Sequence, residues 1–138
     1  MRIMAVDPGE KRIGLAISDP TGTIASPLTV LQHVSRPVDA ATIADLANQN
    51  EVGLIIIGKS LDEEGMPTVQ SRRSDRMALA IQEQCDIPIT AWDESFSTQI
   101  ARQARIEMGT KRQKRSGHLD ELAATIILQS YLDNNVSE

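Results

Sequence analysis

The stretch Gly53-Leu-Ile-Ile-Ile-Gly58 constrains this chain more than any other. A short, continuous apolar run bounded by glycines reads as a strand buried on both faces, the kind found inside a parallel sheet. Three further strand signals precede it. Arg2-Ile-Met-Ala-Val6 is apolar and meets a turn at Asp7-Pro-Gly9. Arg12 to Ser18 alternates Ile13, Leu15 and Ile17, a half-buried strand. After the turn signal Asp19-Pro-Thr-Gly22, a third strand runs from Thr23 to about Gln32. Pro27 inside it predicts an edge position, because proline cannot donate to a ladder. Three consecutive strands with tight turns make an antiparallel meander.

Beyond the meander the period changes. Val38 to Asn50 carries Ile43, Leu46 and Ala47 at helical spacing. Lys59 to Pro67 is a polar loop, Thr68 to Gln84 a helix, and Ile87 to Trp92 a short strand. Ser95 to Met108 predicts another helix and Gly109 to Gly117 a basic loop. His118 to about Asp133 is a strongly apolar-faced helix. The order βββαβαβαα predicts one domain over residues 1–138, a mixed α/β sheet flanked by helices.

Composition narrows the function classes. With 41% apolar residues the chain can build a real core and is no disordered polymer. Fourteen Lys and Arg against nineteen Asp and Glu leave a net charge of −5, so any basic site must be local. The aromatics Trp92, Phe96 and Tyr131 are too few for a single-strand stacking platform. One cysteine, Cys85, excludes an intrachain disulfide and a cysteine metal cluster, and fits a reducing cytoplasm. The N-terminal apolar stretch is too short for a signal peptide, and no run approaches the roughly 18 apolar residues of a membrane span.

Three acidic positions stand out by placement. Asp7 ends the first strand, Asp93 and Glu94 end the last, and Asp120 with Glu121 falls in the first turn of the final helix. Ligand sites in open α/β sheets lie beyond the carboxyl ends of strands, so these acids can converge there. Clustered carboxylates repel each other, and a divalent cation relieves the repulsion; hard oxygen ligands suit Mg²⁺ or Mn²⁺. Two such ions about 4 Å apart would clamp the attacking and leaving oxygens of a phosphodiester. The plainer alternative is that strand-end acids form turns and helix-start acids offset the macrodipole.

Lys111, Arg112, Lys114 and Arg115, joined by Arg102 and Arg105, form a basic cluster between the strand-end acids and Asp120. Beside an acidic metal site, such a cluster suits a phosphate backbone; otherwise it is a solvated loop. Lys59-Ser60 could face the same cleft. His118 could contact a scissile phosphate or simply start its helix, and His33 has no evident partner. One of Ser95, Ser97 and Thr98 would cap the following helix. Cys85 is assigned no role. Asp7-Pro-Gly9 followed by Gly14 is shared by metal nucleases, phosphate-binding hairpins and plain turns.

Asp7-Pro-Gly9 with Lys11-Arg-Ile-Gly14, Asp93-Glu-Ser-Phe-Ser-Thr98, and Asp120-Glu-Leu-Ala-Ala-Thr-Ile-Ile-Leu-Gln-Ser-Tyr-Leu132 together resemble the YqgF/RuvX family across essentially the whole chain. The resemblance implies an RNase H-like five-stranded mixed sheet and a nuclease that processes the 5′ end of the small-subunit ribosomal RNA precursor (pre-16S rRNA). It also implies kinship with Holliday junction resolvases. By that likeness Asp7, Glu94 (or its neighbour Asp93) and Asp120 are the catalytic metal ligands for Mg²⁺ or Mn²⁺, as two ions. Lys11, Arg12, Lys59, Arg102, Arg105, Lys111, Arg112, Lys114, Arg115 and His118 are then the candidate nucleic-acid contacts. One departure is Gly58-Lys59-Ser60, where the family has a Gly-Leu-Pro-like turn.

The partner implied is structured RNA, carried on ribosomal precursor particles, for a monomer or weak homodimer away from membranes. Two rivals stand beside this reading: a resolvase of branched DNA, which needs a symmetric dimer, and a non-catalytic RNA- or ribosome-binding factor. A sugar-kinase or actin-like fold would need a second lobe that 138 residues do not supply.

Overall fold

The computed structural model describes residues 1–94 and 116–135. Its strands are β1 (Arg2–Pro8), β2 (Arg12–Ser18), β3 (Ala25–Gln32), β4 (Val52–Lys59) and β5 (Ile89–Asp93). The helices are α1 (Arg36–Gln49), α2 (Val69–Gln82) and α3 (Ser116–Asn135). One sheet has the order β3-β2-β1-β4-β5. β1 pairs antiparallel with β2 and β2 with β3, while β4 runs parallel to both β1 and β5. This is the expected meander plus two parallel strands. Pro27 does lie on the edge strand, opposite Ala16, where the register shifts by a bulge. No helix among the described residues is long and apolar enough to cross a membrane.

The two faces of the sheet carry separate cores. Met4, Val6, Ile13, Leu15, Ile55 and Ile57 pack under α1 and α2 with Ile43, Met77 and Ile81. Ile3, Ala5, Ala16 and Ile56 pack against Ala124, Ile127, Leu128 and Leu132 of α3. β4 is therefore covered on both sides, as its unbroken apolar run requires. Trp92 fixes α3 against β5: its Nε1 donates to Ser130 Oγ at 3.2 Å, and its ring meets Tyr131 edge-on at 5.3 Å.

Local chemistry explains the element ends. Ser35 caps α1, with Pro37 in its first turn, and Thr68 with Ser71 forms a capping box on α2. β3 starts at Ala25 rather than Thr23 because Asp19 captures the preceding turn. Its carboxylate accepts from the backbone N–H groups of Thr23 (2.8 Å) and Ile24 (2.9 Å) and from the Thr21 hydroxyl. The Ile24 N–H foremost, then the Thr21 hydroxyl and the Thr23 N–H, hold the Asp19 carboxyl well below the usual carboxylate range. β5 begins two residues later than expected, at Ile89; Pro88 offers only its carbonyl, which accepts from Ile55 N at 2.9 Å.

His33 has a partner after all. Its Nδ1 lies 2.5 Å from Asp39 Oδ2, and Asp39 also accepts from Val34 N at 3.0 Å. Asp39 is only 2% exposed, so this pair ties the end of β3 to α1. Asp39→Ala should strand the Val34 N–H and lower the unfolding free energy by about 2 kcal/mol. Urea denaturation reads this directly, and a loss below about 0.5 kcal/mol would contradict it.

Candidate active site

Asp7 stands near the carboxyl end of β1, two residues beyond Ala5 and on its face, the face covered by α3. Gly14 of β2 is directly opposite it. On the other flank, β4 pairs Val6 with Ile57, so Gly58 follows on the same face as Asp7 and two residues beyond Ile56. Asp7 thus sits between two positions without side chains. In the preceding turn, Gly9 N donates to Arg12 O at 2.9 Å, and a Cβ on Gly9 would lie 2.5 Å from that oxygen. Gly9 closes the hairpin, so the turn reading of this part of the motif is also correct.

Alternation along β5 separates the two adjacent acids. Ile89 packs with the α1–α2 core, whereas Trp92 belongs to the α3 core. Asp93 is opposite Lys59 and shares the Ile89 face. Glu94, two residues past Trp92, reaches Asp7 and is hydrogen-bonded to it. Burial, the Asp7 charge, that hydrogen bond and the Asp93 charge, in that order, push the Glu94 carboxyl up to about 7. Glu94 therefore keeps its proton to a higher pH than a free carboxyl, which relieves its repulsion from Asp7.

Gln70, in the first turn of α2, anchors the pair. Its Nε2 donates to Glu94 Oε1 (3.2 Å), Gly58 O (3.2 Å) and Ser74 Oγ (3.1 Å), while its Oε1 accepts from Ser60 N at 2.7 Å. Ser74 Oγ also donates to Gly58 O at 2.6 Å. Gly58 supplies the space: a Cβ there would lie 2.6 Å from Glu94 Oε1 and 2.8 Å from Ile127 Cδ1. Sequence reasoning treated Gly58 as a strand boundary and missed Gln70 and Ser74. A polar residue at a helix start carries no signal until the helix is docked beside the end of β4.

The remaining candidates are spread differently. Asp120 lies on α3 one turn before Ala124; its side chain is outside the described residues, as is that of His118. Because α3 starts at Ser116 rather than His118, Asp120 is in the second turn and not the first. The macrodipole reading of this acid loses force accordingly, since that effect fades within one turn. Lys11 sits in the β1–β2 turn and Arg12 begins β2, at the same end of the sheet as Asp7. Lys59 points away: its Nζ contacts Asp75 on α2 at 3.0 Å. Arg102, Arg105, Lys111, Arg112, Lys114 and Arg115, with the helix predicted over 95–108, lie outside the described residues. Cys85 Sγ donates to Ile81 O at 3.7 Å.

Among the described residues, no three His, Cys, Asp or Glu side chains form a metal-sized group. The Asp7–Glu94 pair nevertheless fits a hard divalent cation. Its donors are carboxylate oxygens, their repulsion is relieved by a proton that a cation can replace, and Gly58 leaves room beside them.

An RNase H-like sheet with a carboxylate pair from β1 and the end of β5 defines the class of protein. Solved structures superpose on that fold: RuvC of T. thermophilus in complex with a Holliday junction substrate has a TM-score of 0.63 at 16% identity, covering 97% of this chain and 96% of that one. The Fowlpox virus resolvase has a TM-score of 0.57 at 13% identity, covering 97% and 98%. The family is more specific. Residues 1–134 match the model of RuvX, described as a Holliday junction resolvase. A protein of Thermoanaerobacter pseudethanolicus named "Putative pre-16S rRNA nuclease" is 42% identical over 135 residues, covering 97% of both chains. One of the same name from Syntrophomonas wolfei is 37% identical over 133 residues, covering 96% and 94%. The chain belongs to the RuvX family.

Proposed function

We propose that this chain is a divalent-metal-dependent nuclease that cleaves the 5′ region of pre-16S rRNA. The observation that carries the reading is the Asp7–Glu94 pair, held together across two strands at the carboxyl edge of the sheet. The names of the relatives support the substrate. Asp7, Glu94 and Asp120 would hold Mg²⁺ or Mn²⁺, which when bound supplies an acidified water and charge neutralisation at the phosphodiester. Gln70 fixes Glu94 Oε1, so this carboxylate is aimed before substrate arrives. Gly14 and Gly58 keep bulk away from Asp7, so a sugar–phosphate strand can approach the two acids closely. Lys11 and Arg12 stand at the same end of the sheet and would meet the strand's phosphates, as would the basic residues between 102 and 115. The site would act in the cytoplasm, on precursor RNA in assembling ribosomal particles.

The test is cleavage of a labelled pre-16S 5′ segment and of a four-way DNA junction, each with Mg²⁺, Mn²⁺ or chelator. Metal-dependent RNA cutting by the wild type, lost in Asp7→Asn at an unchanged thermal midpoint, is the expected result. Cutting of the junction alone would replace the reading with a resolvase. RNA binding without cutting under any metal would replace it with a binding factor.

A further inference from the structure

Among the described residues, five arginines outside the candidate site have no ion pair or side-chain hydrogen bond: Arg2 on β1, and four on the helices. Of these four, Arg72, Arg73 and Arg76 lie on α2, and Arg36 begins α1. Arg36, Arg72 and Arg76 are exposed and Arg73 is half-buried. In a chain of net charge −5, three unpaired guanidiniums within five residues are a local reversal of sign.

Their placement gives the reversal a direction. Arg72 and Arg76 are four residues apart and share one helix face, separated by about 6 Å along the axis. Arg73 stands three residues past Gln70, the side chain that binds Glu94. Further along α2, Arg76 and Arg36 line one groove of about 310 Å³ with Pro37 and Leu79. The track therefore starts one turn from the candidate site and leads away from it across both helices. The acids nearby do not close it: Asp75 is paired with Lys59, and Glu83 is one carboxylate against two guanidiniums in the lining of the groove.

We infer that Arg72, Arg73, Arg76 and Arg36 form a binding track for the RNA backbone flanking the bond to be cut. The inference rests on the nuclease reading for the position of that bond, but its binding test does not. Guanidinium groups in series suit a polyanion whose phosphates recur along a strand, and the planar fork pairs with phosphate oxygens in bidentate fashion. Continuity with the Asp7–Glu94 site selects nucleic acid over an acidic protein, because one strand can occupy both.

The experiment uses the full chain and the triple variant Arg72→Gln/Arg73→Gln/Arg76→Gln, with Arg36→Gln alone as a second variant. Among the described residues these side chains make no ion pair or side-chain hydrogen bond, and glutamine keeps much of the half-buried stem of Arg73, so the thermal midpoints should stay close to the wild type. Affinity for a 30-nucleotide pre-16S segment is measured in chelator over a salt series. The triple variant should bind about 10- to 100-fold more weakly at low salt, with the salt slope reduced by about 2. Arg36→Gln should lower affinity by a few-fold. Cleavage of a short oligonucleotide spanning only the site should stay within about twofold.

Unchanged long-RNA affinity and slope in the triple variant would overturn the track while leaving the active site standing. A wild type that binds the RNA through these arginines but never cleaves would overturn the nuclease reading and keep the track. Weakened binding of a four-way DNA junction with unchanged RNA binding would overturn the assignment to RNA.

Discussion

Glu94→Gln is expected to lower cleavage by roughly 10³-fold, about 4 kcal/mol of barrier, and yet to stabilise the metal-free protein above neutral pH. The opposing signs follow from one carboxyl group. Burial first, then Asp7, push Glu94 from 4.5 up to about 7 in the folded protein. Below pH 4.5 the group is protonated both folded and unfolded, and the fold carries no penalty. As pH rises the unfolded chain ionises first, so stability falls through this window and the loss is complete above pH 7. The full shift corresponds to roughly 3 kcal/mol. Glu94 is partly open to solvent, and screening reduces this to about 1–2 kcal/mol.

Glutamine does not titrate and still offers Asp7 an N–H donor, so the variant's stability should lack the fall that Glu94 causes between pH 4.5 and 7 in the wild type. Adding Mn²⁺ at pH 8 should reverse the ranking, because an ionised pair gains from the cation and a Gln–Asp pair gains less. Thermal midpoints across pH, with and without Mn²⁺, read all of this. Parallel curves for the two proteins would show that Glu94 is an ordinary surface acid, and the site would have to be sought elsewhere.

That Asp93 and Glu94 could not be told apart in the sequence has a physical reason. β5 is five residues long, and its side chains are half-buried or exposed rather than cleanly alternating. Its facing is decided by long-range contacts, chiefly Trp92 against Ser130 and Tyr131, nearly forty residues away. β1, β2 and β4 were legible because burial imposes their apolar patterns directly. Asp7 was legible because it ends such a pattern. His33 was opaque for the opposite reason: its partner Asp39 is a buried acid on a helix whose apolar residues alone carry the periodicity. The Lys59 expectation went astray on parity. One residue past Gly58 is the other face of the sheet, so its ammonium meets α2 and not the cleft.

The same parity makes the two glycines that bound the β4 run unequal, although they look alike in the sequence. Gly58→Ala places a methyl group 2.6 Å from Glu94 Oε1 and 2.8 Å from Ile127 Cδ1. Neither neighbour yields freely: Glu94 is held by Gln70 and Asp7, and Ile127 is packed between α3 and the sheet. The expected cost is about 1–3 kcal/mol of stability from overpacking and roughly a 10²-fold loss of cleavage from a displaced carboxylate.

Gly53→Ala is the matched control on the same strand. Its Cβ meets only the side chain of Met1, which is 67% exposed and can swing aside. That variant should fold and cleave like the wild type, or gain a few tenths of a kcal/mol from the lost glycine. Adding Ile127→Val to Gly58→Ala removes the Cδ1 contact but leaves the contact with Glu94. Urea denaturation should then show part of the stability restored, while the cleavage rate stays low. If Gly58→Ala instead cleaves within about twofold of the wild type, Glu94 is not held where its chemistry requires it, and the Asp7–Glu94 site is wrong.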